Sequence, residues 1–277
     1  MRSIKSLFGL HRVDGDVGVE IEVEGADLPL YMDHWKVVGD GSLKGEENRE
    51  YVLREPVKID KLKDRLDYLK QQFIDNGARF DETYRAGVHV HINVQDLTPK
   101  QLFNFITTYL VVEELLLTFC AKHRIGNHFC LRASDAGYLP QLIWSAIEQR
   151  NLRMLHTDDI RYSSINLKPV THYGSVEFRA HESTYDFNKI DRWANILYQI
   201  RQASLEFDCP RKIMEEVSVG GYEGFVRKIF GPHADFFLRQ KHWDKVIRKG
   251  ILIAQDIAYS RNWDEVNLNI FSKNKDW

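Results

Sequence analysis

The chain has 277 residues, 43% hydrophobic and 28% charged, with a formal net charge of −2. These values describe a globular protein large enough to bury a sizeable core, and they exclude a disordered or fibrous chain. A balance this close to neutral supplies no global field toward nucleic acid or an anionic membrane.

The opening MRSIKSLFGLHRVDGD carries basic residues around an apolar run too short for a signal peptide. Period-two alternation bounded by Gly, Asp or Pro predicts strands over 16–24, 35–39, 50–55, 88–94, 161–168 and 175–180. Between them, Ile59, Leu62, Leu66, Leu69 and Phe73 recur at helical spacing, which predicts a helix over 58–76 stopped by Gly77. Thr98-Pro99 opens a second helix over 99–122, a capping residue followed by a first-turn proline. Its most apolar part, 109–121, is interrupted by Glu113 and Glu114 and falls short of the roughly 20 residues a bilayer requires, so no membrane span is expected. A shorter helix is predicted over 140–150, then helices over 189–207, 210–217, 222–230 and 234–260, the last with an internal break. The pattern is α+β: a mainly antiparallel sheet with helices on one face, in a single domain spanning 1–277. Its β-rich core covers about 16–185 and its helical part about 186–265. Cys120, Cys130 and Cys209 are odd in number and lack CxxC spacing, which argues against a disulfide framework and suits the cytoplasm.

The chemistry is concentrated on the polar faces of the strands, because residues i, i+2 and i+4 of a strand point the same way. In VGVEIEVE one face is Val17, Val19, Ile21 and Val23 and the other carries Glu20, Glu22 and Glu24. In VHVHINV one face is β-branched and the other is His89, His91 and Asn93. In VEFRAH the polar side is Glu177, Arg179 and His181, and over 161–168 it is Tyr162, Ser164, Asn166 and Lys168. A solvated sheet face or a hydrogen-bonded core would also alternate. Solvated faces, however, favour Lys, Thr, Ser and Gln, whereas this set is Glu, His, Asn and Arg. Two same-face glutamates about 7 Å apart repel by roughly 2 kcal/mol at an effective dielectric near 20. A divalent cation turns that repulsion into attraction, and oxygen ligands with an imidazole suit Mg²⁺ or Mn²⁺ better than zinc.

The motifs GVEIEVEG (18–25), DGSL (40–43), EYVLREPV (50–57), GVHVHIN (87–93), RYSSINL (161–167) and GSVEFRAHEST (174–184) resemble, in this order, those of the carboxylate–amine ligases related to glutamine synthetase and glutamate–cysteine ligase, and in particular the smaller amidoligase family of phages and bacteria. The resemblance runs from about residue 16 to 205. It implies a curved, mainly antiparallel, glutamine-synthetase-like sheet with helices on its convex side and a concave face that holds ATP and Mg²⁺ (or Mn²⁺). It further implies Glu20, Glu22, Glu50, His89 and Glu177 as metal ligands, His91 and Asn166 as nucleotide or phosphate contacts, and Arg179 as the arginine reaching the transferring phosphate. The implied reaction joins a small-molecule or peptide carboxylate to an amine through an acyl-phosphate. A protein or nucleic-acid acceptor and a homo-oligomer are compatible with it, and no membrane partner is expected.

No GxxxxGK[ST] or GxGxxG phosphate loop is present, so nucleotide would have to be held by the metal-lined face. Arg124, Asn127 and Arg132, in HRIGNHFCLR, form a candidate pocket for an acidic substrate, against the alternative of a capped loop. Two other functional readings compete. One is a metal-dependent hydrolase or cupin-like enzyme built on His89 and His91. The other is a non-catalytic interaction module binding nucleic acid or protein through Arg239, Lys241, Lys245, Arg248 and Lys249, with Phe237 and Trp243 interleaved.

Overall fold

The computed structural model describes residues 2–263. In chain order its first half contains α1 (Ile4–Phe8), β1 (Val17–Ala26), β2 (Trp35–Val38), β3 (Glu47–Leu53), α2 (Ile59–Asp75), β4 (Arg79–Phe80), β5 (Gly87–Asn93) and α3 (Pro99–Leu116). The second half contains α4 (Tyr138–Glu148), β6 (Ile165–Asn166), β7 (Ser175–Glu182), α5 (Phe187–Ser204), α6 (Pro210–Phe230), α7 (Ala234–Leu238) and α8 (Trp243–Ala258). The strands form one seven-stranded sheet in the order β2-β3-β1-β5-β7-β6, with β4 added to the end of β1. Every pairing between these strands is antiparallel. The fold is α+β, as the alternation predicts.

The sheet has two different faces because its residues alternate. Val17, Val19, Ile21, Val88, Val90, Ile92, Val176 and Phe178 are all buried, and they join Leu62, Leu66, Leu69, Ile190, Trp193 and Leu197 of α2 and α5 in one continuous core. Tyr51 of β3 meets Phe73 of α2 edge to face at 4.8 Å, and Phe178 of β7 packs on Phe105 and Tyr109 of α3. Full burial of one such ring contributes about 1.5–3 kcal/mol over leaving it in water. The opposite face of the sheet is left for the polar side chains.

Helix α3 opens with the expected cap: Thr98 accepts from the Gln101 amide while the Gln101 side chain reaches back to the Thr98 N–H. With the turn that follows, Pro99–Phe119 is long and apolar enough to cross a membrane, yet it is almost wholly buried within the fold. It lies against α8 at Gly250, where a Cβ would stand 2.3 Å from the Leu110 carbonyl oxygen. Only glycine lets the two backbones approach so closely.

Several expectations need correction. The strand predicted over 161–168 shrinks to two residues, since a 3-10 turn with Pro169 in its first turn begins at Lys168 and Ser163 and Ser164 are tied to Leu131. Ser164 faces the helices, bonded to Tyr109 and Glu113, rather than the polar side. A bulge between Val88 and Val90 shifts the β5–β7 register, so His181 also turns away from the polar face. It lies fully buried between Phe119 and Trp193, and burial lowers its pKa to about 4. The helices expected over 210–217 and 222–230 are present as two helical stretches of α6 that meet at Gly221, whose φ of 69° breaks the helix between them. Phe237, expected among surface cations, is buried and stacked on Phe230 at 4.0 Å. The end of the expected helical region, residues 264–265, lies outside the described residues.

Candidate active site

Strand register brings the polar residues into one array. Glu22 stands opposite Glu50 across β1 and β3, Glu20 opposite His89 across β1 and β5, and His91 opposite Glu177 across β5 and β7. Asn166 of β6 pairs with Glu177. Four strands therefore deliver Glu20, Glu22, Glu50, His89, His91 and Glu177 to a single face, and Arg179 joins them from β7.

The side chains converge. His89 Nδ1 lies 3.3 Å from Glu20 and 3.5 Å from Glu177, and its Nε2 lies 3.7 Å from Glu22. Glu20 also approaches His91 Nε2 at 3.3 Å. Arg179 Nη1 bonds Glu177 at 2.5 Å, and Asn166 donates to the other Glu177 oxygen at 2.6 Å. Glu22 is fixed on one side by the Gly87 N–H at 2.7 Å. The third carboxylate of β1, Glu24, leaves the array to accept the Lys44 N–H.

The electrostatics follow from this crowding. Burial raises the Glu20 pKa, but hydrogen bonds from His89 and His91 and their positive charge outweigh it and hold the group well below its ordinary range. Glu177 is pulled down against burial by Arg179, His91 and His89. Burial also pulls His91 down, and the Glu20 carboxylate beside it more than compensates. Glu50 goes the other way: burial, then the charges of Glu20 and Glu22, push it up to about 8. One carboxyl of the array therefore keeps its proton near neutrality, and its O–H is available to Glu20.

These residues fit a divalent cation. The ligand atoms of Glu20, Glu50 and His89 lie within 4.8 Å of one another, as do those of Glu20, His91 and Glu177, so Glu20 belongs to both sets. The buried His91 Nε2 faces the Glu20 carboxylate at 3.3 Å, so a nitrogen donor is aimed into the array. Carboxylate oxygens with imidazole nitrogens are a donor set for Mg²⁺ or Mn²⁺. A cavity of about 750 Å³ borders Glu20 and His91, walled by Phe8, Leu10, Val52, Pro56 and Tyr173.

A family model described as "putative amidoligase enzyme" matches residues 3–200, well over half of the chain. The chain belongs to this amidoligase family. The matched amidoligase segment begins at α1 and ends within α5, so it contains every strand of the sheet and the whole polar array, while α6, α7 and α8 follow it. No curated protein matches the chain.

The three residues expected to form an acidic-substrate pocket in this chain are otherwise engaged. Arg124 is buried, with its guanidinium directed at the carbonyls of Arg179, Ala180, Tyr84 and Arg85. It braces the strand end that carries Arg179. Asn127 donates to the Tyr84 carbonyl and accepts from the Phe129 N–H, and Arg132 is paired with Glu114 and Asp135. This is a capped loop, the alternative reading of that segment. Asn166 likewise spends its amide on Glu177 and the Lys168 N–H.

Asp40 is the residue that sequence reasoning passed over. It reaches Glu22 from the loop after β2, and its pKa is lowered despite burial by the Ser42 N–H and hydroxyl, by Glu22 and by His89. Its signal, the Asp-Gly of DGSL, reads as turn chemistry, and nothing local shows that the turn folds over the array.

Proposed function

We propose that the protein is an ATP-dependent carboxylate–amine ligase acting through an acyl-phosphate, with a glutamine-synthetase-like sheet in a single catalytic domain. The observation that carries this reading is the convergence of Glu20, Glu22, Glu50, His89, His91 and Glu177 with the Arg179 guanidinium on one sheet face. The continuous core from Ile4 to Trp263 and the family match support the domain reading. Three buried free thiols fit a reducing compartment such as the cytoplasm.

Carboxylate and triphosphate are both anionic, so their approach requires neutralisation. Glu20, Glu22, Glu50, His89 and Glu177 would hold Mg²⁺ or Mn²⁺, which supplies charge neutralisation and orients phosphate oxygens when bound. Arg179 offers a planar fork of donors to the phosphoryl oxygens as charge builds on them. Asn166 keeps Glu177 in one rotamer, and His91 stands beside the cavity for a contact to the nucleotide. In the first step a substrate carboxylate oxygen bonds to the γ-phosphorus of ATP while the bond to the bridging oxygen breaks and ADP departs. In the second, an amine nitrogen bonds to the acyl carbon, and phosphate leaves with the electron pair of the C–O bond. The amine proton passes to phosphate or solvent. Positioning and electrostatics carry such a transfer, so the reaction needs no Ser or Cys nucleophile.

The test is release of ADP and phosphate by purified protein supplied with Mg²⁺ and panels of acid–amine pairs, with the amide product read by mass. ATP left intact under every pairing, together with a tightly bound transition metal and hydrolytic activity, would replace this reading with the hydrolase built on His89 and His91.

A further inference from the structure

Beyond the family-matched segment, α8 and the turn before it carry a second charged surface. In RQKHWDKVIRK, from Arg239 to Lys249, five permanent cations accompany one carboxylate, Asp244. Arg239, Lys241, Lys245, Arg248 and Lys249 are all exposed, and none has an ion-pair partner among the described residues. Two carboxylates on the neighbouring helical segments, Glu223 and Asp235, are both taken by Arg227, at 2.9 and 3.0 Å.

Three of the cations, those on α8, share a side. Ile247, Ile251, Ala254, Ile257 and Ala258 of α8 face the core. At about 100° per residue, Lys245, Arg248 and Lys249 then fall within one outward arc. Like charges at these i,i+3 and i,i+4 spacings weaken a helix, and within α8 only Asp244, four residues before Arg248, stands at a spacing that relieves them. A planar pair lies among the cations: the Arg248 guanidinium sits 5.5 Å from the Tyr222 ring centroid, while half-buried Trp243, at the start of the helix, is packed against the core. The arc also contains exposed Leu252, but one apolar side chain is too little to anchor a helix in a lipid surface.

We propose that this face binds single-stranded nucleic acid, its phosphates neutralised by Arg239, Lys241, Lys245, Arg248 and Lys249 and its bases stacking at the Arg248–Tyr222 pair. The surface is independent of the ligase chemistry, and its test involves no residue of the polar array.

The full-length protein is titrated against a fluorescent 20-nucleotide oligo-dT between 50 and 200 mM salt. With four to five phosphates neutralised, log affinity should fall against log salt with a slope of about −3, a loss of about 60-fold across that range. Lys245→Glu with Lys249→Glu should weaken binding more than tenfold at 50 mM salt and flatten the slope, while the circular dichroism melt stays unchanged. The matching reversal on α2, Lys61→Glu with Lys63→Glu, should leave binding as it was. Absence of binding at 50 mM salt overturns the proposal. So does an equal loss in both pairs of variants, or binding to phosphatidylserine vesicles without binding to the oligonucleotide.

Discussion

Glu22 and Glu50 stand directly opposite each other on the polar face of adjacent antiparallel strands, with Glu20 one position along β1 on the same side. Three carboxyl groups in so small a space are unfavourable for a fold, and Glu50 answers by holding its proton up to about pH 8. Its folded pKa is thus raised above the ordinary 4.5. The associated stability is complete below about 4.5 and is lost as pH rises through 8. Glu50→Gln should abolish this slope and leave the metal-free protein more stable at pH 8 by about 1–2 kcal/mol, a figure discounted for the solvent that reaches the group. Denaturant unfolding at several pH values, without divalent cations, checks it. Mg²⁺ should raise the melting temperature of the unaltered protein far more than that of the variant.

Arg179 has two tasks that different substitutions separate. Its guanidinium neutralises buried Glu177 and, under the proposed chemistry, grips the phosphoryl group. Arg179→Ala leaves Glu177 buried and unpaired and should cost about 3–5 kcal/mol of stability. Arg179→Lys keeps the charge but not the planar fork. It should retain most of the stability while turnover falls about 10²–10³-fold. Melting curves beside ADP-release rates make the comparison, and a lysine variant with normal turnover would remove the proposed role.

Asn166 acts on the site through Glu177, to which it donates at 2.6 Å. Asn166→Ala should free that carboxylate to rotate and lower Mg²⁺ affinity about 10–100-fold. The expected kinetic signature is a rise in the Mg²⁺ concentration for half-maximal rate, with turnover largely restored at saturating Mg²⁺. Asn166→Asp should be worse, since it puts a second carboxylate against the first.

Much of this site was legible because strand alternation is a strict rule. Glu20 and Glu22, His89 and His91, and Glu177 and Arg179 each lie two apart, and antiparallel pairing carries them onto one face. What local pattern does not encode was lost. His181 follows a register shift that depends on how β5 and β7 meet, not on either sequence alone. Asp40 arrives on a loop, where no period applies. Arg124 looked like a substrate group because a free arginine and one committed to four carbonyls have the same local sequence. The five-residue α1 and the two-residue β4 are too short to show a period and exist through tertiary contacts.

Glu113 offers a test of the fold that is independent of the polar array. It is buried on the helix side of the sheet, where its carboxyl accepts from the Ser164 hydroxyl and the Ala133 N–H. Burial pushes its pKa up from 4.5 to about 7; Ser164 and Ala133 pull against that rise, and neighbouring Glu114 adds to it. Between those two values the unfolded chain has lost this proton while the folded chain still holds it, so folding binds a proton and stability declines as pH increases. The effect over that window amounts to up to about 3 kcal/mol. Glu113→Gln keeps the shape and a hydrogen-bonding oxygen for Ala133 but cannot ionise. Its stability relative to the unaltered protein should therefore increase steadily from pH 5 to pH 8, as read from urea midpoints at constant m-value. A constant difference across that range would show that Glu113 ionises alike in the folded and unfolded chains, and the buried carboxyl would then have to be solvated in a way its surroundings do not provide.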